Sequence, residues 1–248
     1  MPPKMRIIQQ TLIDDYHPNI HVYDEVLESQ LTQDMLSGLF DNTSVPRRVG
    51  LAPIYSNSRK GGRLCRLVVS TATKAVVVQF HAEGRSGKAY QGRELLKDTI
   101  LCNEDVTLLA FDLAKLAIAL FADLGLRILN GVDLQSAFGV AEQPALAAID
   151  FATGDRATVL KDNVNAAFAT SIYDEKRAAA TTIACVQQAW VAQVVATYDG
   201  MEERILSAPK INTRDKSETV CLLGVTNVVH RSHLLDFSAP ATPRLRPP

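Results

Sequence analysis

Three short apolar runs, separated by polar turns, follow one another from residue 49. They read VGLAPIY at 49–55, LCRLVVS at 64–70 and AVVVQFH at 75–81, with SNSRKGG and TATK between them. Apolar runs of this length, rich in Val and bounded by Gly, Ser, Asn and Thr, are typical of β-strands. The pattern predicts three consecutive strands that pair antiparallel.

A strand, helix and strand unit is predicted over residues 106–134. The run VTLLAF at 106–111 is a buried strand that leads directly into a helix. Asp112 stands at the N-cap position of that helix, Gly125 closes it, and LRILNGVDL at 126–134 follows as a second, parallel strand. The apolar face of the helix consists of Leu113, Leu116, Ala117, Leu120, Phe121 and Leu124.

A last long helix is predicted from about Ala178 to Tyr198. Its apolar face, which is expected to lie against the core, carries Ile183, Gln187, Trp190 and Val194. Residues 135–180 are rich in Ala and weakly helical. Together these elements predict one α/β domain with a mixed five-stranded sheet flanked by helices.

Composition excludes several classes of protein. With 248 residues, 47% of them hydrophobic and 21% charged, the chain is neither disordered nor fibrous. The most apolar stretch, residues 108–129, is interrupted by charges, so we expect no membrane span. The N-terminal sequence MPPKMRIIQQ lacks the apolar region of a secretory signal, so we expect an intracellular protein, cytoplasmic or nuclear. The four cysteines form no CxxC pair and are expected to be reduced and mostly buried.

Charge is unevenly distributed, although the net charge is only −1. No Asp or Glu occurs between Asn42 and Ala82, and this stretch contains Arg47, Arg48, Arg59, Lys60, Arg63, Arg66 and Lys74. Such a segment either attracts phosphate groups or forms a basic, solvated face of the sheet.

Other motifs give no catalytic site. The string GRSGKAYQG at 84–92 has Ala89 where a phosphate loop needs Ser or Thr. Pro18 between His17 and His21 excludes a helical pair of metal ligands, and His230 and His233 fall in a predicted loop.

Four strings, in this order, resemble motifs of the RNase D and Werner-type branch of the DEDD 3′-5′ exonucleases, which have an RNase H-like fold. They are VGLAPIY at 49–55, FDLAKL at 111–116, GVDLQSA at 131–137 and ACVQQAWVAQVVATY at 184–198. The resemblance covers about residues 45–200. It implies an N-terminal extension at 1–44, an exonuclease-like domain at 45–200 and a C-terminal extension at 201–237. The crowding of Pro240, Pro243, Pro247 and Pro248 predicts a disordered tail at 238–248.

The resemblance also implies which residues would be catalytic. In that family four carboxylates bind two divalent cations that hydrolyse a phosphodiester, and a Tyr or His positions the water. The first-strand Asp and Glu of the family correspond to Ala52 and Ile54, the second-motif Asp to Asp112, and the last Asp and its Tyr to Gln188 and Ala184. One carboxylate of four is retained, so a catalytically inactive member without a bound metal is expected. Asp112 is then expected to serve as a helix cap.

The first functional hypothesis is therefore an inactive exonuclease-like domain in RNA metabolism that binds single-stranded nucleic acid, with RNA favoured, or a protein partner or second copy. The expected phosphate contacts are Arg47, Arg48, Arg59, Lys60, Arg63 and Arg66. Tyr55 and Phe80 lie near this segment and either stack on bases or belong to the core.

Two alternatives remain open at this point. The first is an active exonuclease, dependent on Mg²⁺ or Mn²⁺, whose ligands are displaced to Asp105, Asp112, Asp133 and either Asp199 or Glu83. The second is a scaffold that binds proteins only, with the basic segment as a solvated face. Asp133 is not a ligand in the family pattern and is expected to be a structural or turn-end polar group.

Overall fold

A computed structural model of the chain describes residues 4–14, 18–40, 47–57, 62–81, 87–173 and 175–213. Its strands are β1 (Lys4–Gln9), β2 (Asn19–Leu27), β3 (Arg47–Ser56), β4 (Leu64–Ser70), β5 (Lys74–Gln79), β6 (Val106–Ala110), β7 (Gly131–Asp133) and β8 (Ile172–Tyr173). Its helices are α1 (Gln33–Ser37), α2 (Lys88–Leu96), α3 (Leu113–Leu124), α4 (Leu134–Ala137), α5 (Ala145–Thr153), α6 (Lys161–Phe168), α7 (Ala178–Val195) and α8 (Met201–Ser207).

All eight strands belong to one mixed sheet, in the order β1-β2-β5-β4-β3-β6-β7, with β8 beside the end of β3. The neighbours β3, β4 and β5 pair antiparallel, and β6 pairs parallel with both β3 and β7. The three-strand meander and the strand, helix and strand unit predicted from the sequence are confirmed, as is the mixed α/β class. β3 lies centrally, with Gly50 opposite Leu109 of β6.

Among the described residues the sheet has eight strands and not the predicted five. β1 lies at the edge and leaves Met5 and Ile7 about 60% exposed, so its residues do not show the apolar alternation of a half-buried strand. β2 pairs parallel with β5, far away in the sequence, and β8 has only two residues. β8 is too short to carry a local pattern, and the alternation of Ile20 and Val22 with polar residues in β2 does not indicate its distant partner.

Helix α7 crosses one face of the sheet and is the centre of the core. Its Trp190 is fully buried and donates a hydrogen bond from Nε1 to the Ala72 carbonyl at 3.0 Å. At Gly50 the helix comes so close that a Cβ atom would lie 1.7 Å from the Ala189 carbonyl oxygen. Helix α7 is buried on most of its circumference, whereas Ile183, placed on the buried face by the sequence pattern, is 36% exposed.

The segment Glu175–Val195 reaches the length and mean hydropathy of a membrane span. The fold buries 72% of its apolar window, because most of it is the core helix α7. Burial against a sheet is the ordinary reason for such hydropathy in a core helix.

The segments on both sides of the exonuclease-like region contribute to the same sheet. Residues 4–27 supply β1 and β2, and Ile211 exchanges two backbone hydrogen bonds with Gly131 of β7, at 2.7 and 3.1 Å. The domain boundaries inferred from the resemblance stay predictions, and the tail at 238–248 lies outside the described residues, as do His17, His230 and His233.

Candidate nucleic-acid cleft

A cleft of about 540 Å³ opens along the part of β3 that has no neighbouring strand on the β6 side. β6 pairs with β3 only as far as Gly50, and β8 begins to pair at Tyr55. Between them, Leu51 and Pro53 line the cleft, together with residues at the start of α3 and the end of α6. Its volume is within the usual range for ligand sites in proteins.

The backbone at Asp112 turns sharply where β6 passes into α3. Asp112 has φ 57° and ψ 38°, a left-handed conformation that Asp and Asn tolerate better than other residues with side chains. Its side chain makes no capping hydrogen bond; instead, Asp133 Oδ2 accepts the Leu113 N–H at 2.8 Å. The predicted cap at Asp112 is therefore wrong, because the neighbouring strand supplies the capping carboxylate. Gln135 Oε1 accepts the Asp112 N–H at 3.0 Å and fixes this turn.

Three charged side chains line the cleft: Asp112, Lys115 and Glu142. All three are exposed. Lys115 is the only Lys or Arg among the described residues that line the cleft. Within the described part of the chain, neither Asp112 nor Lys115 uses its side chain in a hydrogen bond or ion pair. Both charged groups therefore face solvent and any molecule in the cleft.

Aromatic rings form another part of the cleft wall. Phe111 and Phe168 contact each other edge to face, with ring centroids 5.0 Å apart, and both line the cleft. Tyr55 also lines it; burial, and then the negative charge of Asp112, raise the pKa of its phenol well above the usual value of 10.0. The neutral phenol can thus donate a hydrogen bond. Phe80, by contrast, is 6% exposed and belongs to the core.

The first two positions that the resemblance equates with catalytic carboxylates face away from the cleft: Leu51 and Pro53 line it, and Ala52 and Ile54 lie on the other face of β3 in apolar surroundings. Ala52 and Ile54 are 1% and 0% exposed and belong to the core cluster under α7, with Ala184. Gln188 does line the cleft, but its amide nitrogen donates to the Ala167 carbonyl at 2.7 Å. Ala and Ile offer no oxygen ligand and Gln carries no charge, so these residues do not fit a pair of hard divalent cations.

The displaced set of ligands is not brought together either. Asp105 and Asp112 lie at opposite ends of β6, Asp199 follows α7, and Glu83 lies outside the described residues. Asp133 is occupied with the amides of Leu113 and Ser136. Across the described ranges no three His, Cys, Asp or Glu side chains group as metal ligands would.

The six basic residues of the sequence hypothesis do not form one surface in the described part of the chain. Arg47 and Arg48 begin β3, whereas Arg63 lies beside its other end, where its carbonyl accepts the Ser56 N–H. A strand of ten residues separates these ends by roughly 30 Å. Arg59 and Lys60 lie outside the described residues.

Two of these arginines bind the protein itself. Arg48 Nη2 contacts Glu202 Oε1 at 2.5 Å, and only 12% of its side chain is exposed. The Arg66 guanidinium lies 4.5 Å from the centre of the Tyr173 ring and 3.8 Å from Glu25, and Arg66 is 5% exposed. Arg48 lies in β3 and Arg66 in β4, and the fold buries most of both side chains, which the charge pattern of the sequence does not reveal.

Arg47 and Arg63 are more accessible. The guanidinium of Arg47 lies 5.1 Å from the centre of the Phe40 ring. Arg63 is 3.7 Å from Asp123, with 60% of its side chain exposed. Arg63 is at the same end of β3 as the cleft, so a phosphate contact by this residue stays a prediction.

Sequence reasoning located Asp112 but missed Lys115, Phe168 and Glu142. Lys115 was visible in FDLAKL, one turn after Asp112 in a predicted helix. Phe168 and Glu142 lie in the Ala-rich region, where no periodicity indicates which side chains reach the cleft. Phe168 reaches the cleft at the end of α6, and Glu142 reaches it from the connection between α4 and α5.

Comparison with solved structures supports the fold. The exonuclease (EXO) domain of Aedes aegypti Nibbler superposes with a TM-score of 0.51 and 12% sequence identity, over 80% of this chain and 93% of that domain. Trypanosoma brucei RNase D in complex with GMP gives a TM-score of 0.47 at 13% identity, over 91% of this chain and 67% of that one. Brucella melitensis NrnC gives 0.42 at 15% identity, over 81% and 91%.

No protein-family model matches the sequence, and no curated protein sequence matches it. The superposition on the Nibbler EXO domain shows the fold: the chain has the architecture of that domain. The resemblance seen in the sequence is confirmed at this level.

Proposed function

We propose that this chain is an exonuclease-fold domain that binds single-stranded nucleic acid in the cleft beside β3 and does not hydrolyse it. One observation carries the proposal. The cleft at the edge of β3 is open, while Ala52 and Ile54, at the positions of two metal-binding carboxylates, are buried among apolar side chains.

The chemistry of the cleft suits an unpaired nucleotide. The faces of bases stack on aromatic side chains without regard to sequence, and Phe111 and Phe168 offer such rings. Lys115 offers a charge to a phosphate, and the Tyr55 hydroxyl offers a hydrogen bond to a sugar or base. RNA is the favoured ligand because the resemblance implies a role in RNA metabolism.

The absence of hydrolysis follows from the ligands available. Two-metal hydrolysis requires several carboxylates that hold two cations about 4 Å apart. Asp112 is one carboxylate at this site, and Glu142, the other in the cleft, lies outside the motif positions of the family. A single pair of carboxylates cannot supply the charge and the oxygen ligands that two hard cations need.

Fluorescence anisotropy tests the proposal with 5′-labelled single-stranded RNA and DNA of about 20 nucleotides, longer than one ordinary binding site. We expect salt-dependent binding, stronger for RNA, and full-length oligonucleotide on a gel after the titration, with or without Mn²⁺. Lys115→Glu should weaken binding. Lys4→Glu, a matched charge reversal on edge strand β1, should not.

Three results would contradict the proposal in whole or in part. Shortened oligonucleotide that appears only with Mn²⁺ would show an active nuclease. A lack of binding to both RNA and DNA at low salt would leave a domain that recognises something other than nucleic acid. Equal affinity for RNA and DNA would overturn the RNA preference.

A further inference from the structure

Asp112, directly before α3, and Lys115, in the first turn of α3, place opposite charges in the same cleft. We infer that the Lys115 ammonium neutralises a nucleic-acid phosphate at this site. In the active exonucleases that the sequence resembles, divalent cations carry this positive charge. The cleft then binds nucleic acid without metal, and its Asp112 opposes binding. This inference rests on the proposed function and names the charge that acts there.

The surroundings of Lys115 leave its ammonium available. Lys115 is exposed, and within the described part of the chain its side chain has no hydrogen bond or ion pair. Of the other described cations near β3, Arg48 is engaged with Glu202 and Arg66 with Tyr173 and Glu25. Arg47 and Arg63 are more accessible but do not line the cleft. An ammonium is a compact charge with three donors, which suits a single phosphate oxygen.

The neighbouring acids determine how the site responds to metal. Asp112 and Glu142 line the same cleft, so its described charged groups sum to a single negative charge. Asp112 is held in place by its left-handed backbone and by Gln135, which accepts its N–H. A carboxylate fixed beside a phosphate binds a metal ion when enough other ligands are present and otherwise repels the phosphate.

These two cases predict opposite effects of Asp112→Asn on the affinity for nucleic acid. If a metal bridges Asp112 and the phosphate, Asp112→Asn removes a ligand and weakens binding. If Lys115 neutralises the phosphate alone, Asp112→Asn removes a repulsive charge and strengthens binding. Asn is a suitable replacement because it keeps the shape of Asp and tolerates the left-handed backbone.

The test is an anisotropy titration with labelled single-stranded RNA, in EDTA and again in Mn²⁺. In EDTA we expect Asp112→Asn to raise the affinity about threefold, the size expected for one unit charge at several ångströms in a solvated cleft. Lys115→Gln should lower the affinity about tenfold and reduce the slope of log affinity against log salt by about 1, whereas Lys115→Arg should retain binding. Lys4→Gln on β1 is the matched control.

The possible failures are distinguishable. If the wild-type chain binds no RNA in either buffer, the proposed function fails and this inference with it. If it binds only in Mn²⁺ and Asp112→Asn weakens it, nucleic-acid binding stands and the role of Lys115 is overturned. Binding in EDTA that Lys115→Gln leaves unchanged also overturns the role of Lys115. Because Lys115 and Asp112 are exposed, the variants should fold, which circular dichroism checks.

Discussion

The carboxylate of Asp133 caps the helix that begins at Leu113: its Oδ2 accepts the Leu113 N–H at 2.8 Å. Its Oδ1 accepts the Ser136 N–H at 2.9 Å, so one side chain on β7 holds the starts of α3 and α4. Because Asp133 accepts these hydrogen bonds, the carboxylate of Asp112 does not cap the helix and instead lines the cleft.

Asp133→Ala should destabilise the fold, since it removes the acceptor of two helix N–H groups at once. We expect a loss of about 2 kcal/mol in the free energy of unfolding, measured with urea. Asp112→Asn is the matched control and should change stability little, because the Asp112 side chain makes no cap. Equal losses for the two variants would contradict the assignment of the cap to Asp133.

Gly50→Ala should be among the most damaging substitutions in the chain. Its Cβ would lie 1.7 Å from the Ala189 carbonyl oxygen, so β3 and α7 would have to move apart. We expect a loss of about 3 kcal/mol or more in chemical denaturation. Gly139→Ala, where φ is 77° and a Cβ meets nothing within 4 Å, should cost only about 1 kcal/mol. Similar costs at both sites would show that α7 does not pack so closely.

Glu28 and Arg93 form a buried pair that fixes α2. Glu28 is fully buried, and Arg93 contacts it through Nε at 2.5 Å and Nη2 at 3.2 Å. Arg93→Leu should cost about 3 to 5 kcal/mol because it leaves the Glu28 carboxylate buried without its cation. The double variant with Glu28→Leu should lose less than the sum of the single losses in a double-mutant cycle. Additive losses would mean that the pair is not coupled.

Stability should fall in alkaline solution because of Cys185. Burial, and then the nearby Cys65, raise the pKa of its thiol from 9.0 to about 12. The thiolate is therefore favoured in the unfolded chain, so the stabilising contribution is complete below pH 9 and is lost as the pH rises toward about 12.

Urea unfolding at a series of pH values measures this loss. Above pH 9, Cys185 should contribute a decline of up to about 1.4 kcal/mol per pH unit. Cys185→Ala should make the decline shallower by that amount. An unchanged slope in the variant would show that the thiol is not protected from ionisation by the fold.

Local patterns were enough for much of the fold. The runs that became β3, β4 and β5 and the amphipathic helix α3 carry their signals within the segment itself. β2 and β8 depend on partners distant in the sequence, β5 for β2 and β3 for β8, which no local pattern identifies. The position of Asp112 before α3 was predicted, but the residue that caps α3 was not. The capping carboxylate belongs to Asp133, which lies on the neighbouring strand β7.

The basic segment shows the same limit. Arg47 and Arg63 lie 16 positions apart in the sequence, but the length of β3 separates them, because Arg47 begins this strand and Arg63 lies beside its other end. Arg66 is buried and contacts Tyr173 and Glu25, which belong to other elements. Basic residues that are close in the sequence are therefore not close together in the fold.

Incubation of 5′-labelled single-stranded RNA with an excess of the protein in Mn²⁺ tests the central claim most directly, when binding and oligonucleotide length are measured in the same sample. We expect bound RNA that keeps its full length, with the same affinity in EDTA. Progressive shortening from the 3′ end, abolished by EDTA and by Asp112→Ala, would show that the cleft beside β3 is a working nuclease site and would contradict the proposal.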